Sequence, residues 1–108
     1  IWKPAFVEAG FRRRVFLLPT EGEVHYAEWL HLATDDPVVT QGSVDFYKRF
    51  IRLGDLAIDI GTRDGDTTVP MALAAGAEGM VLAIDPNPHA FKVLAENARL
   101  NREKTNIV

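Results

Sequence analysis

Residues 55–88 decide the fold, and they read DLAIDIGTRDGDTTVPMALAAGAEGMVLAIDPNP. The apolar runs Leu56–Ile60 and Met80–Ile84 have the length of buried parallel strands. Between them the alanine-rich segment Thr68–Ala75 predicts a helix, closed by Gly76 in the C′ position. A strand, a helix and a second strand in this order form a βαβ unit, whose crossover is right-handed in nearly all proteins. We therefore predict an α/β fold built on a mainly parallel sheet.

Glycines and an acid lie where the two predicted strands end. Gly61 and Gly65 follow the first strand, and Asp85 follows the second. Ligands of open α/β sheets bind at the carboxyl ends of the strands, and glycines let the backbone approach a ligand closely. Asp85 can accept hydrogen bonds from both hydroxyls of a ribose. These residues together predict a nucleoside site.

Asp59, two residues before Gly61, indicates which kind of nucleoside is bound. Dinucleotide sites use the loop G-x-G-x-x-G and place a pyrophosphate at a helix N-terminus, where a carboxylate just upstream would repel it. This chain has the pattern D-x-G-x-x-x-G instead. Asp59 suits a cationic ligand, such as the ammonium group of S-adenosylmethionine. The alternative for either acid taken alone is a loop-capping role, which is common for Asp at a strand end.

Three helix starts can be predicted from the local sequence. Thr67 as N-cap places Pro70 at N3, in the first turn, where a missing N–H breaks no helical hydrogen bond. Asn87 and Pro88 have the residue types preferred at the N-cap and N1 positions of a last helix. Ser43 is a candidate N-cap for a helix that precedes the first strand of the βαβ unit. The expected buried residues are Phe91, Leu94, Ala95 and Ala98 in the last helix and Val44, Tyr47, Phe50 and Ile51 in the earlier one.

The sequence resembles the S-adenosylmethionine-dependent methyltransferases of the FkbM type over about half of the chain. The residues that carry the resemblance are 54–61 (GDLAIDIG), Gly65, Thr68, 85–88 (DPNP), Leu94, Asn97 and 100–101 (LN). The resemblance implies a class I methyltransferase fold, which is a Rossmann-like three-layer αβα sandwich, here truncated after the second sheet helix. It also implies S-adenosylmethionine as cofactor and methyl transfer to a hydroxyl oxygen of a small molecule or sugar.

The resemblance further implies which residues bind the cofactor, with the first loop holding the methionine moiety and the later acid holding the ribose. The candidates are Asp59, Gly61, Thr62, Gly65, Thr68, Asp85, Pro86 and Asn87. The family commonly has Ala and then Asn or His after the first glycine, whereas this chain has Thr62 and Arg63. We expect the Arg63 cation to point away from a sulfonium, or to pair with Asp64 or Asp66. No general base can be assigned, and His89 is better interpreted as a first-turn helix residue.

The basic run Arg12–Arg14 has two interpretations. It runs into the strand-like run Val15–Leu18. In the first interpretation the arginines flank a sheet or face solvent; in the second they form an anion-binding patch for a phosphorylated or carboxylated substrate. Residues 1–10 predict an extended or loop segment, because Pro4 and Gly10 interrupt them.

The segment Glu23–Leu32 contains two histidines and a glutamate, which are residue types that bind zinc. At helical spacing, however, His25, Glu28 and His31 spread around the helix and do not converge on one ion. We therefore expect no metal site here. Packing of this segment is expected to occur through Tyr26, Trp29 and Leu30, with the polar residues outside.

Composition and charge exclude several classes of protein. The net charge of −3 and the scattered basic residues do not suggest a nucleic-acid surface. The absence of cysteine excludes disulfides and thiolate metal sites. No apolar run is long enough to cross a bilayer and no signal-peptide pattern is present. A cytoplasmic protein with a small-molecule substrate is expected.

The chain is predicted to divide into residues 1–42, an N-terminal extension or cap segment, and residues 43–108, the N-terminal half of the S-adenosylmethionine-binding domain. Residues 106–108 look like the start of a third strand. One sheet edge would then lack a partner, and self-association through that edge is expected. Two alternatives to a methyltransferase remain. One is a non-catalytic Rossmann-like fragment or interaction module; the other is a nucleotide-dependent oxidoreductase, disfavoured by Asp59 and by the lack of G-x-G-x-x-G.

Overall fold

A computed structural model describes residues 10–108, so the interpretation of residues 1–9 as an extended or loop segment lies outside the described residues. Within the described range the chain forms two small two-stranded sheets and three helices. The elements in chain order are β1 (Phe11–Leu18), β2 (Gly22–Trp29), a short 3-10 turn (Leu30–Leu32), α1 (Gln41–Lys48), β3 (Leu56–Ile60), α2 (Thr68–Ala75), β4 (Met80–Ile84) and α3 (Pro88–Leu100). No helix in residues 10–108 combines the length and apolarity needed to cross a membrane.

The βαβ unit formed by β3, α2 and β4 confirms the prediction from the sequence, with the expected bounds for all three elements. β3 and β4 are parallel, and their register runs from Leu56 opposite Met80 to Ile60 opposite Ile84. The start of a third strand is also present, because Val81 N donates to Asn106 O at 2.9 Å and Val108 N donates to Val81 O at 2.9 Å. Residues 106–108 therefore lie beside β4, on the side away from β3.

The two faces of the β3–β4 sheet differ in how they are covered. α2 packs against both strands, and nearly all of its residues are buried. The aliphatic side chains that alternate onto the other face are exposed: Leu56, Ile58, Ile60, Met80, Leu82 and Ile84. Residues 10–108 thus show an α/β arrangement with α2 packed on one face of the parallel sheet. The second helical layer of a full sandwich remains a prediction.

The N-cap of α1 is Thr40, so the prediction of Ser43 is wrong. Ser43 N donates to Thr40 Oγ1 at 3.1 Å, and Thr40 N donates to Ser43 Oγ at 3.2 Å. This reciprocal pair is a capping box in which Ser43 occupies N3. The helix ends at Lys48, so Phe50, which was expected on its buried face, lies beyond it and is exposed.

Residues 22–29 form a strand, so the helical spacing assumed for this segment is wrong. β2 pairs with β1 in antiparallel register, from Phe11 opposite Trp29 to Leu18 opposite Gly22. Tyr26 and Trp29 are buried as expected, but Leu30 is exposed and Glu28 is buried, against expectation. Among residues 10–108 no group of three or more His, Asp or Glu side chains could hold a metal ion.

Two clusters of buried residues join the hairpin to the helices. The first contains Leu18, Val24, Tyr26, Val39, Val44, Val69 and Leu73, and the second contains Ala27, Trp29, Ala90 and Val93. The first cluster therefore includes residues from both sides of the predicted boundary at residues 42 and 43, which itself remains a prediction.

The buried face of α3 differs from the prediction. Its buried residues are Ala90, Val93, Leu94 and Asn97, whereas Phe91 is 52% exposed. The buried face differs because α3 packs against β2 of the hairpin.

Candidate functional site

The loop between β3 and α2, residues 61–67, wraps over the carboxyl end of β4. Gly61 N donates to Ile84 O at 2.8 Å, and Arg63 N donates to Asp85 Oδ2 at 2.6 Å. Gly61 has φ 76°, and no neighbouring atom lies within 4 Å of the position that a Cβ would take. The structure thus brings the loop and Asp85 together and leaves open space beside Gly61.

The Asp59 carboxylate is held at the base of this loop by two hydroxyl groups. Thr67 Oγ1 and Thr68 Oγ1 donate to Asp59 Oδ2 at 3.0 and 2.8 Å. Thr68 is fully buried, so its hydroxyl orients Asp59 from within the fold. Thr67 precedes α2 as predicted, but its hydroxyl binds Asp59 and makes no helix-capping hydrogen bond.

Asp85 is fixed by two backbone amides. Arg63 N donates to its Oδ2, and Asn87 N donates to its Oδ1 at 2.8 Å. A carboxylate oxygen can accept two hydrogen bonds and each of these accepts one from the protein, so both can accept another from a ligand hydroxyl. Asn87 confirms the predicted N-cap, since its Oδ1 accepts from His89 N at 3.0 Å and Ala90 N at 3.3 Å. Its side-chain oxygen is therefore committed to α3, and the intervening Pro86 is exposed.

Arg63, a residue in which the chain departs from the FkbM pattern, pairs with Asp66. Arg63 Nη2 lies 2.7 Å from Asp66 Oδ2, which is one of the two pairings expected for it, and this hydrogen bond raises the pKa of Arg63. Arg63 itself has φ 50°, in the left-handed region. The neighbouring Thr62 is buried, and its Oγ1 has no hydrogen-bond partner.

Gly65 is placed by packing against α3 and does not border open space. Its φ is 104°, and a Cβ there would lie 3.3 Å from Leu94 Cδ1 and 3.5 Å from Asn97 Nδ2. The positive φ would strain any other residue at this position, and the Leu94 methyl group would have to move slightly to make room for the side chain. Among the residues of the D-x-G-x-x-x-G pattern, the first glycine therefore faces the site and the second supports it.

Asn97 and Asn101 connect α3 to the hairpin, and Asn97 also binds the glycine loop. The sequence analysis assigned neither residue a structural role. Asn97 Nδ2 donates to Asp64 O at 2.6 Å and to Ala27 O at 2.8 Å, while its Oδ1 accepts from Ala27 N at 2.7 Å. Asn101 makes the corresponding pair of bonds to the His25 backbone. The only sign of this role in the sequence is the spacing of four residues between the two asparagines, which places both side-chain amides on one helix face.

Two members of the arginine run, Arg12 and Arg14, pair with a buried glutamate. Arg12 Nε and Arg14 Nη1 donate to Glu28 Oε1 and Oε2 at 2.6 and 2.9 Å, and Glu28 is 1% exposed. Arg13 is exposed on the opposite face of β1. Arg13 thus faces solvent, as the first interpretation expected, whereas the pairing of Arg12 and Arg14 with a buried glutamate was in neither interpretation.

The assembled residues fit a nucleoside that carries a positive charge. Asp59 provides a negative charge at the base of the loop, and Asp85 provides two pinned oxygens for a vicinal diol. The open space at Gly61 lies in the loop that joins them. A pyrophosphate would face the Asp59 carboxylate directly, which disfavours a dinucleotide.

Comparison with known proteins gives two solved structures of similar fold. One is a Pyrococcus horikoshii protein, PH0793, provisionally described as a transferase, with a TM-score of 0.60 and 19% identity over 89% of this chain. The other is P. horikoshii TYW2 in complex with MeSAdo, an S-adenosylmethionine analogue, with a TM-score of 0.60 and 20% identity over 94% of this chain. The chain spans 35% and 42% of the lengths of these two proteins.

At such identities the likeness shows a fold shared with the matched parts of these two proteins. No protein-family model matches the sequence, and no curated protein matches it.

Proposed function

We propose that this chain carries the S-adenosylmethionine-binding part of a methyltransferase. The observation that carries the proposal is the Asp85 carboxylate, pinned by the amides of Arg63 and Asn87 at the end of β4, with open space at Gly61 in the same loop. The TYW2 structure, which has the same fold and binds an S-adenosylmethionine analogue, supports it. The FkbM resemblance extends the proposal to a hydroxyl oxygen of a small molecule or sugar as acceptor.

The residues of this chain bind and orient the donor. Asp85 holds the two ribose hydroxyls, which fixes the nucleoside relative to the sheet. Asp59, oriented by Thr67 and Thr68, binds the ammonium group of the methionine moiety. When bound, S-adenosylmethionine supplies an electrophilic methyl group.

The alternative of a nucleotide-dependent oxidoreductase, which would bind a nicotinamide dinucleotide, is weaker because of the position of Asp59. The loop between β3 and α2 has no G-x-G-x-x-G pattern, and the Asp59 carboxylate stands at its base. A titration that compares S-adenosylmethionine with NAD will therefore distinguish a methyltransferase from an oxidoreductase.

The experiment is isothermal titration calorimetry on the native-length protein with S-adenosylmethionine, its demethylated product and NAD. Asp85→Ala removes two charge-assisted hydrogen bonds, each contributing about 1.5–3 kcal/mol, so affinity for S-adenosylmethionine should fall at least about tenfold. Asp55→Ala is the matched control, because Asp55 lies at the opposite end of β3, where its Oδ2 accepts from Arg52 N. Binding of NAD in preference to S-adenosylmethionine, or unchanged affinity in a folded Asp85 variant, would refute the proposal.

A further inference from the structure

Arg63 has an unfavourable backbone conformation in the glycine loop, residues 61–67. Its φ is 50°, in the left-handed region, which costs free energy for a residue other than glycine. In this conformation Arg63 N donates to Asp85 Oδ2 at 2.6 Å. The exposed side chain of Arg63 pairs with Asp66 of the same loop, and this pair does not attach the loop to the rest of the fold. Strained residues persist where the surrounding contacts determine the backbone, so we looked for contacts made by the neighbours of Arg63.

Asp64, the next residue, is attached to the hairpin by its side chain. Asp64 Oδ2 accepts from Trp29 N at 3.4 Å, and the hydroxyl of Tyr26 donates to the same carboxylate. Both Asp64 and Tyr26 are buried. Burial, and then the charge of Asp64, raise the pKa of Tyr26, so its hydroxyl keeps its proton and remains a donor toward the carboxylate.

The carboxylate of Asp64 depends on these two donors. Burial raises the pKa of Asp64 and the charge of Asp66 adds to the rise, whereas the hydrogen bonds from Trp29 N and the Tyr26 hydroxyl lower it. No salt bridge within residues 10–108 includes Asp64. A buried carboxylate is unfavourable unless it is hydrogen-bonded, so its bonds to β2 fix where Asp64 lies.

The backbone around Asp64 is fixed as well. Asn97 Nδ2 donates to Asp64 O at 2.6 Å, which attaches the loop to α3. On the other side of Arg63, Gly61 N donates to Ile84 O at 2.8 Å. The Arg63 amide thus lies between one point fixed by the sheet and a second point fixed by α3 and the hairpin. Only the second point depends on the side chain of Asp64.

We propose that Asp64 and Tyr26 are positioning residues for the cofactor. Through them the hairpin holds Arg63 in the conformation that directs its amide to Asp85, and so orients the carboxylate assigned to the ribose. The inference rests on the proposed function for the identity of the ligand, whereas the hydrogen bond between Arg63 and Asp85 can be observed with no ligand present. It gives β2 a role in cofactor binding that requires no contact between β2 and the cofactor.

The first measurement is the NMR signal of the Arg63 amide in the ¹⁵N-labelled native-length protein without ligand. A hydrogen bond of 2.6 Å to a carboxylate should move the proton signal downfield and slow its exchange with solvent. Tyr26→Phe removes only the hydroxyl from a buried ring, and it should move this signal upfield and speed the exchange. Thr105→Val is the matched control, because it removes another buried hydroxyl, which donates to Asn101 O beyond the C-terminal end of α3, and it should leave the signal unchanged.

Substitutions of Asp64 provide a graded series for the same signal. Asp64→Ala removes the acceptor for both Trp29 N and the Tyr26 hydroxyl, so its upfield shift should exceed that of Tyr26→Phe. Asp64→Asn retains an oxygen acceptor, so it should restore part of the difference. Circular dichroism checks that each variant is folded at the temperature of the measurement.

The second measurement is the affinity for S-adenosylmethionine by calorimetry. Tyr26→Phe should weaken it at least about threefold, since side chains coupled through one hydrogen-bond network show interaction energies of this order or larger. In an Asp85→Ala background the same substitution should have little further effect, because the Arg63 amide has already lost its acceptor. A loss of affinity caused only by lower stability would be the same in both backgrounds.

The two measurements separate failure of the inference from failure of the proposed function. An unchanged Arg63 amide in folded Tyr26→Phe and Asp64→Ala variants would overturn the inference, and so would equal losses of affinity in the two backgrounds. If S-adenosylmethionine binds equally well to the parent and to Tyr26→Phe, the proposed function stands and the inference fails. If the amide responds as expected while the parent does not bind S-adenosylmethionine, the control of Arg63 by the hairpin stands and the proposed function fails.

Discussion

Glu28 shows at the scale of single residues how this small fold accommodates a buried charge. The strand register places Arg12 directly opposite Glu28, and Arg14 lies two residues further along the same face of β1. Both guanidinium groups also donate to Thr34 O, at 2.6 and 3.0 Å, which ties the segment after the hairpin to the cluster. The net gain from such a buried ion cluster is small, but the loss of its central partner is costly.

Glu28→Ala is therefore expected to lower the free energy of unfolding by about 1.5–3 kcal/mol, because two partly exposed guanidinium groups lose their hydrogen bonds to a carboxylate. Urea denaturation of the native-length protein measures the effect. Arg13→Ala is the matched control from the same basic run, and since Arg13 is exposed it should change stability little. Equal denaturation midpoints for the two variants would mean that the cluster does not stabilise the hairpin.

At the scale of elements, α3 lies along the edge of β2 and binds backbone groups that a neighbouring strand would otherwise bind. The side-chain amides of Asn97 and Asn101 each donate to and accept from one backbone residue of β2, Ala27 and His25 respectively. Four backbone groups on the free edge of β2 are satisfied in this way, and the edge is closed to other strands. Because Asn97 also binds Asp64 O, the helix fixes the hairpin against the glycine loop.

Asn97→Leu is expected to destabilise the protein by at least about 2 kcal/mol, since the N–H and C=O of Ala27 and the carbonyl of Asp64 lose their partner while buried. Hydrogen exchange should show a selective loss of protection at the Ala27 amide. Arg99→Ala, on the exposed side of the same helix, is the control and should leave that amide protected. Retained protection in the Asn97 variant would show that packing alone holds α3 on the hairpin.

The elements also differ in how far their sequences predict them. The bounds of β3, α2 and β4 follow from local signals, namely two apolar runs, an alanine-rich segment and Gly76. β2 was missed because both of its faces are partly buried and it contains a buried Glu28, so its alternation is hidden until β1 is placed beside it. The face of α3 was misassigned because its buried stripe includes the polar Asn97, which an apolar pattern leaves out.

The residues of the candidate site also differ in how far the sequence predicts their positions. Asp59, Gly61 and Asp85 are positioned by the βαβ unit itself, so sequence spacing was sufficient to bring them together. Asp64 was expected only as a partner for Arg63, because its burial depends on contacts with β2 and α3, which are distant in sequence.

At the scale of the whole molecule, the uncovered side of the β3–β4 sheet determines how the chain behaves alone. Parallel strands are normally buried on both faces, yet Leu56 is 66% and Ile60 is 77% exposed. Within residues 10–108 the edge of β3 opposite β4 has no strand partner. An apolar face next to an unpaired edge is the usual combination for association between sheets.

The 108-residue chain produced by itself is therefore expected to self-associate through β3. At about 25 cal/mol per Å² of apolar surface, burial of several hundred Å² contributes roughly 10 kcal/mol, comparable to the stability of a typical domain. Sedimentation velocity over a concentration series measures the association, and Ile58→Lys should shift the chain toward monomer because a charge on the edge strand opposes pairing. Leu17→Lys is the control, since Leu17 is also an exposed aliphatic residue but lies on β1, outside this sheet. A monodisperse monomer with protected amides across Leu56–Ile60 would show that β3 is not an open edge in solution, and would contradict the strand order on which the expectation depends.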